Sequence, residues 1–194
     1  MSAEYNYLSV TLERGRPAWA AFAAHTRAAD GEMLGVFQGQ LGFASNEAVV
    51  LLRGANADSR HAVGQAPGVA GVRAETLTPT VRPAEGAVLR QGGIYVHRWF
   101  TVDAQSVDDF VALSNKAWEN FEGSYDTEIF GLFTAERSHE DLRDGAGRLL
   151  LLTWYASHGV WEASRDQTRD PQGLFARRHA LTRTTIGRSS TLVG

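Results

Sequence analysis

The sequence predicts an α+β protein built from two tandem copies of one β-α-β-β-α-β unit, each with an antiparallel sheet. Three observations predict it. Tyr7-Leu8-Ser9-Val10-Thr11-Leu12 lies over Tyr95-Val96-His97-Arg98-Trp99-Phe100 at an offset of 88, which also sets Ala21-Phe22 over Asp109-Phe110. The offset then only grows: Gly35-Val36-Phe37 meets Gly131-Leu132-Phe133 at 96, and residues 48–52 meet 149–153 at 101. Growth of this kind describes the same elements with longer loops in the second copy. Finally, strand 94–102 carries large side chains on both faces, with Ile94, Val96, Phe100 and Val102 on one and Tyr95, His97, Trp99 and Thr101 on the other. A strand of this type is covered on both sides. Helices of its own unit cover one face, and the other unit's sheet can cover the second.

The elements of the first copy follow in order. Residues 5–12 read as a strand, and Pro17 opens a helix, where its missing N–H costs nothing. Trp19, Phe22 and Ala23 give that helix an apolar face. Residues 33–44 and 47–54 read as paired strands with Ser45-Asn46 at the turn, then a short helix over 57–66 and a strand over 74–82. The first unit spans 1–83, and residues 84–93, rich in Pro, Gly and Glu up to that boundary, read as a linker.

The second unit spans 94–194. Its strand 94–102 is followed by Ser106 as N-cap, with Asp108 and Asp109 in the first helical turn. Val107, Phe110, Val111, Ser114, Trp118 and Phe121 recur at helical spacing, and Gly123 is the expected stop. Strands follow over 127–135 and 148–156, joined by a polar loop containing Asp144-Gly145. Ser157 caps a helix carrying Val160, Trp161 and Ser164, running to about Asp170 before Pro171 stops it, and a last strand fits 183–193. Strand-helix-strand-strand-helix-strand is the ferredoxin-like order, whose sheet has helices on one face only.

Composition excludes several classes. At 194 residues and 43% hydrophobic, the chain can bury a sizeable core. A net charge of -3 provides no field drawing it to nucleic acid or to an anionic membrane. No cysteine is present, so disulfides, thiolate metal sites and cysteine nucleophiles are excluded. The N-terminus lacks a basic, apolar leader and no apolar run is long enough to span a bilayer, so a cytoplasmic setting is expected. Of the 19 basic residues only Lys116 is lysine, which suggests a GC-rich bacterial genome. The six histidines include no pair at i,i+3 or i,i+4, so no metal site is expected. Phosphate-cradling glycine loops and Gly-x-Ser-x-Gly are absent. The tail 165–194 has six arginines against two aspartates without interleaved aromatics, and reads as a solvated, ion-paired surface.

The stretch Ile94-Tyr95-Val96-His97-Arg98-Trp99-Phe100 before an Asp-rich helix resembles the opening strand of NIPSNAP-like proteins. Leu152-Thr153-Trp154-Tyr155-Ala156-Ser157, followed by Glu162, Arg165 and Asp170-Pro171, is similar to that family's second characteristic segment. The resemblance covers roughly 93–193 and departs from the family at His97, where an aliphatic or acidic residue is usual. The first copy keeps the strand pattern but has Ser9 opposite His97 and Val10 opposite Arg98. The resemblance implies the dimeric α/β-barrel superfamily, with the two sheets of this chain packed as a pseudo-dimer. That superfamily includes cofactor-free monooxygenases, haem-degrading enzymes, chlorite dismutase-like haem proteins and small-lactone isomerases. A fold of that breadth does not fix a function.

Candidate chemistry concentrates in the second unit. Arg98 shares a face with four apolar residues, so its guanidinium must meet an anion, either a protein carboxylate or a ligand. His97 is a candidate general base or haem ligand, or else a hydrogen-bonding bridge between sheets. Arg98 and His97 are thus the expected catalytic pair. Trp99, Trp118, Trp154, Tyr155 and His158 are the expected walls of a pocket for a small, flat hydrophobic molecule, although the rings also suit plain core packing. Two functions remain open at this point. One is a small-molecule binder, which if enzymatic would be monooxygenase-like, with haem or with no cofactor. The other is a non-catalytic interaction module with filled cores. The sheet edges of such a module would mediate oligomers, and a homo-oligomer, most simply a dimer, is expected.

Overall fold

The computed structural model of the chain describes residues 4–15, 19–27, 32–54, 57–166 and 172–193. The first unit contributes β1 (Tyr5–Leu12), α1 (Trp19–Arg27), β2 (Glu32–Gly39), β3 (Glu47–Arg53), α2 (Ala57–Gly64) and β4 (Val69–Pro79). The second contributes β5 (Ile94–Asp103), α3 (Val107–Ser124), β6 (Thr127–Ala135), α4 (His139–Arg143), β7 (Ala146–Tyr155), α5 (His158–Ala163), α6 (Leu174–Ala180) and β8 (Thr182–Leu192). The expected helix start at Pro17 and stop at Asp170-Pro171 lie outside the described residues.

The strands do not form two stacked sheets, as the sequence suggested, but one closed antiparallel barrel in the order β1-β3-β2-β8-β5-β7-β6-β4. Each unit keeps the ferredoxin-like order. Its second strand then meets the fourth strand of the other unit, through Phe37↔Leu192 to Gly39↔Ser190 at one seam and Leu77↔Ala135 to Pro79↔Phe133 at the other. Two sheets placed face to face would leave four edges, and closure pairs part of each. β2 and β6 carry matching register shifts, between Met33 and Gly35 and between Ile129 and Gly131. Both glycines are required by close approach. A Cβ on Gly35 would sit 2.6 Å from the side chains of Leu89 and Leu192, and one on Gly131 would sit 2.7 Å from Pro83.

Strand alternation divides the molecule into three cores. Tyr5, Tyr7, Phe37, Tyr95, Phe133, Leu150, Leu152 and Trp154 fill the barrel interior. Leu8, Val10, Phe22, Val36, Val50 and Leu52 pack between the first unit's sheet and its helices. Val96, Phe100, Phe110, Trp118, Phe121 and Leu151 do the same in the second. Arg148 of β7 plugs one end of the interior, donating to Glu75 at 2.9 Å and to Asp141 at 2.9 Å, with its guanidinium 5.8 Å from the Trp99 ring. No helix of the described residues is long and apolar enough to cross a membrane.

Several element boundaries differ from expectation for local reasons. α3 runs through Gly123 to Ser124, because that glycine is not among those with positive φ and so does not form the left-handed stop. Ser106 makes no side-chain cap, since the 3-10 turn Ala104–Ser106 precedes the helix. The stretch expected to be a polar loop before β7 contains α4, closed by a reciprocal capping box between Ser138 and Asp141. Ser157 caps α5 as expected, accepting from Val160 N–H at 3.2 Å. α5 ends at Ala163, however, and a separate α6 follows.

Candidate functional site

A cavity of about 500 Å³ opens between the outer face of the second unit's sheet and its helices. Such a volume suits a drug-sized ligand. Alternation along β5 delivers Val96, Arg98 and Phe100 to it, and β7 adds Leu151, Thr153 and Tyr155. Trp118 and Phe121 of α3 form one wall. Trp161 of α5, the following Ser164, Arg165 and Asp166, and Phe175, Arg178 and His179 of α6 form the other. Gly187 of β8 forms part of the floor beside Arg98. A Cβ there would lie 3.9 Å from Arg98 Nε and 3.8 Å from the Trp161 ring, so the absent side chain leaves room.

The charged groups of the cavity have different settings. Arg178, though in the tail expected to be solvated, is only 8% exposed. Its guanidinium lies 5.0 Å from the Phe175 ring, 5.3 Å from Phe100 and 5.5 Å from Phe110. Rings of this kind hold a guanidinium by cation–π attraction. Arg98 is half-buried and forms no ion pair or hydrogen bond with a described residue. Burial pushes the Tyr155 hydroxyl above its usual range, partly offset by the Arg98 charge and a hydrogen bond with Ser164. The side chains of Trp118 and Trp161 line the cavity, while their indole N–H groups are themselves buried, without a hydrogen-bond partner among the described residues.

Only part of the expected site assembles. Arg98, Trp118 and Tyr155 line the cavity, whereas His97, Trp99 and Trp154 point into the barrel on the opposite face of the sheet. Neighbouring strand residues alternate between faces, so His97 and Arg98 lie in different layers. His158 lies outside the lining, its Nε2 3.0 Å from Ser189 Oγ. Trp154 donates to the Gly92 carbonyl at 2.8 Å and carries the Arg90 guanidinium 3.7 Å from its ring centroid. Missing from the expected list were Phe100, Phe121, Trp161, Phe175, Arg178 and His179. The first three belonged to legible periodic segments. α6 starts only after a break that the sequence read as the end of helical structure.

His97 is fully buried, with Nδ1 3.2 Å from Tyr7 Oη and Nε2 2.7 Å from Ser190 Oγ. Burial raises the Tyr7 hydroxyl well above its usual range, so it stays protonated. Burial, aided by the Arg188 charge, pushes His97 down to about 3. The neutral ring is hydrogen-bonded at both nitrogens and surrounded by Tyr7, Phe37 and Phe43.

No family profile matches the chain, and no curated protein does. Solved structures do resemble it along its whole length. An anthrone oxidase-like protein superposes with a TM-score of 0.65 at 12% identity, covering 100% of this chain and 92% of its own. A protein from Fusobacterium nucleatum subsp. nucleatum, provisionally assigned as a monooxygenase, gives 0.66 at 9%, covering 100% and 93%. The fold is that of the dimeric α/β barrels. A haem-binding protein from Thermus thermophilus gives 0.56 at 9%, covering 99% and 92%. Among the described residues of this chain, His179 is the one imidazole lining the cavity. It is exposed, and no hydrogen bond from a described residue orients its ring. A ligating imidazole is ordinarily fixed by a bond from its other nitrogen. The donor set therefore does not fit haem, and no chemical step is derived through iron.

Proposed function

We propose that the chain is a NIPSNAP-like small-molecule binder that takes a flat, hydrophobic molecule into the cavity of its second unit and oxidises it without a cofactor. The observation that carries the reading is the cavity itself: about 500 Å³ between the sheet and helices of the second unit, walled by Phe100, Trp118, Phe121, Tyr155, Trp161 and Phe175. Rings on several sides suit a planar ligand. The monooxygenase and anthrone oxidase-like neighbours support an oxidative reaction in this cavity. Its balanced form replaces the two hydrogens of a substrate CH2 group by one atom of O2 and releases the other as water. Arg98 serves as polar anchor and Trp118 and Tyr155 as walls. Residues 1–83 act as scaffold and 84–93 as linker.

A second reading is favoured by a separate observation. β4 and β8 pair across the seams through three residues each, so Val69–Ala74 and Thr182–Gly187 overhang. Val72 and Ile186 are 37% and 53% exposed there. Such edges invite pairing with a second copy, giving a homodimer without catalysis. Native mass spectrometry of the purified protein tests both. A small-molecule adduct on each chain, absent from Gly187→Leu, is expected. Bare-chain dimers that take up no flat aromatic compound would replace the first reading with the second.

A further inference from the structure

Resting on the reading of this cavity as a ligand site, we infer that its ligand carries a negative charge: a flat aromatic acid, ionised as carboxylate, sulfonate or phenolate, whose anionic group pairs with Arg98. Two features converge on this chemistry. The Arg98 guanidinium enters the cavity from the sheet floor and meets no carboxylate among the described residues. A half-buried cation without a partner is costly, and an anion bound beside it removes that cost. A planar guanidinium also presents two parallel N–H donors that match the oxygens of an anionic group.

The charge of the lining supplies the second feature. Among the described lining residues, Arg98, Arg165 and Arg178 stand beside one carboxylate, Asp166, although the whole chain is acidic at -3. Positive charge is thus concentrated at the cavity against the overall balance. The ring-lined walls receive the aromatic body of the ligand, and Gly187 leaves the space beside Arg98 open for its acidic end.

A matched pair of fluorescent probes tests the charge separately from the pocket. 1-Anilinonaphthalene-8-sulfonate and N-phenyl-1-naphthylamine share one aromatic frame and differ by the sulfonate. In titrations at low salt the wild-type protein is expected to bind the sulfonate at least tenfold more tightly, with one site per chain. Arg98→Met should abolish that preference while changing the affinity of the neutral probe less than twofold, and Arg98→Lys should restore most of it. Gly187→Leu should weaken both probes tenfold or more. Equal affinities in the wild type, or a preference that survives Arg98→Met in a protein of unchanged circular dichroism, would overturn the inference and leave the cavity reading standing. Failure of both probes to bind, or binding untouched by Gly187→Leu, would overturn the cavity reading and the inference with it.

Discussion

The two units fold to the same strand order yet treat their helix-facing sheet surfaces oppositely. Over the first, the nine-residue α1 and eight-residue α2 pack down on Leu8, Val10, Val36, Val50 and Leu52. α1 can approach closely because its buried positions are Phe22, Ala23 and Thr26, and Ala23 is fully buried. Over the second, α3 is twice as long, at 18 residues, and stands on Trp118 and Phe121. α6 leans against it through Phe175, whose ring is 5.5 Å from Phe121. Large rings hold helices off a sheet, and what they do not fill stays open. At the matching strand position the closed unit has Val10, 1% exposed, and the open one has Arg98. One layer was kept as a packed core, while its copy retains a charge and the space to use it.

The strongest way to break this comparison is to exchange the residues. Val10→Arg would place a guanidinium in a core with no room and no described carboxylate in its cluster. An uncompensated buried charge costs about 3–5 kcal/mol, a large share of a domain's stability. Urea unfolding should therefore show a loss of that size, or the variant should fail to accumulate folded. A loss below about 1 kcal/mol would mean that the first unit is as open as the second.

Strand alternation made much of this legible. The inner and outer sets of β5 follow from the side-chain period of two, and the repeat offsets paired Gly35 with Gly131, the two bulge glycines of β2 and β6. Barrel closure was not legible, because it depends on three-residue seams between strands far apart in sequence, with no local pattern. Arg98, Trp118 and Tyr155 could be found since each belongs to a strong periodic segment. Grouping them with His97 and Trp99 failed because two residues adjacent in a strand face opposite layers. Arg178 was hidden by composition: in an arginine-rich tail nothing in the sequence marks which guanidinium is buried against three rings.

The inner face supplies a second difference, smaller in effect. There the first unit has Ser9 and the second His97, fully buried and pushed down to about 3. An unfolded histidine titrates near 6.5, so between the two values the unfolded chain binds a proton that the folded chain refuses. The stability associated with neutral His97 is complete above pH 6.5 and is lost as the pH falls toward 3. The slope is about 1.4 kcal/mol per pH unit, or roughly 2 kcal/mol between pH 6 and 4.5. His97→Gln should flatten the urea-unfolding stability across that window. An unchanged slope would show that His97 takes up a proton inside the barrel, and that the interior is wetter than its packing.

The least costly change is the one that makes the open unit resemble the closed one. If Arg98 held a structural ion pair, Arg98→Met would strand a carboxylate and cost several kcal/mol. The guanidinium instead faces the cavity without a described partner, so methionine removes a poorly satisfied charge and keeps the aliphatic stem against Val96 and Phe100. Unfolding free energy measured without ligand should move by no more than about 1 kcal/mol in either direction. Charge held for packing is expensive to delete, whereas charge held for a ligand is cheap to delete until the ligand is added. A small change in the bare protein beside a large change in anionic-probe binding would place Arg98 in the second class, and Val10→Arg shows what the same side chain costs where no such space exists.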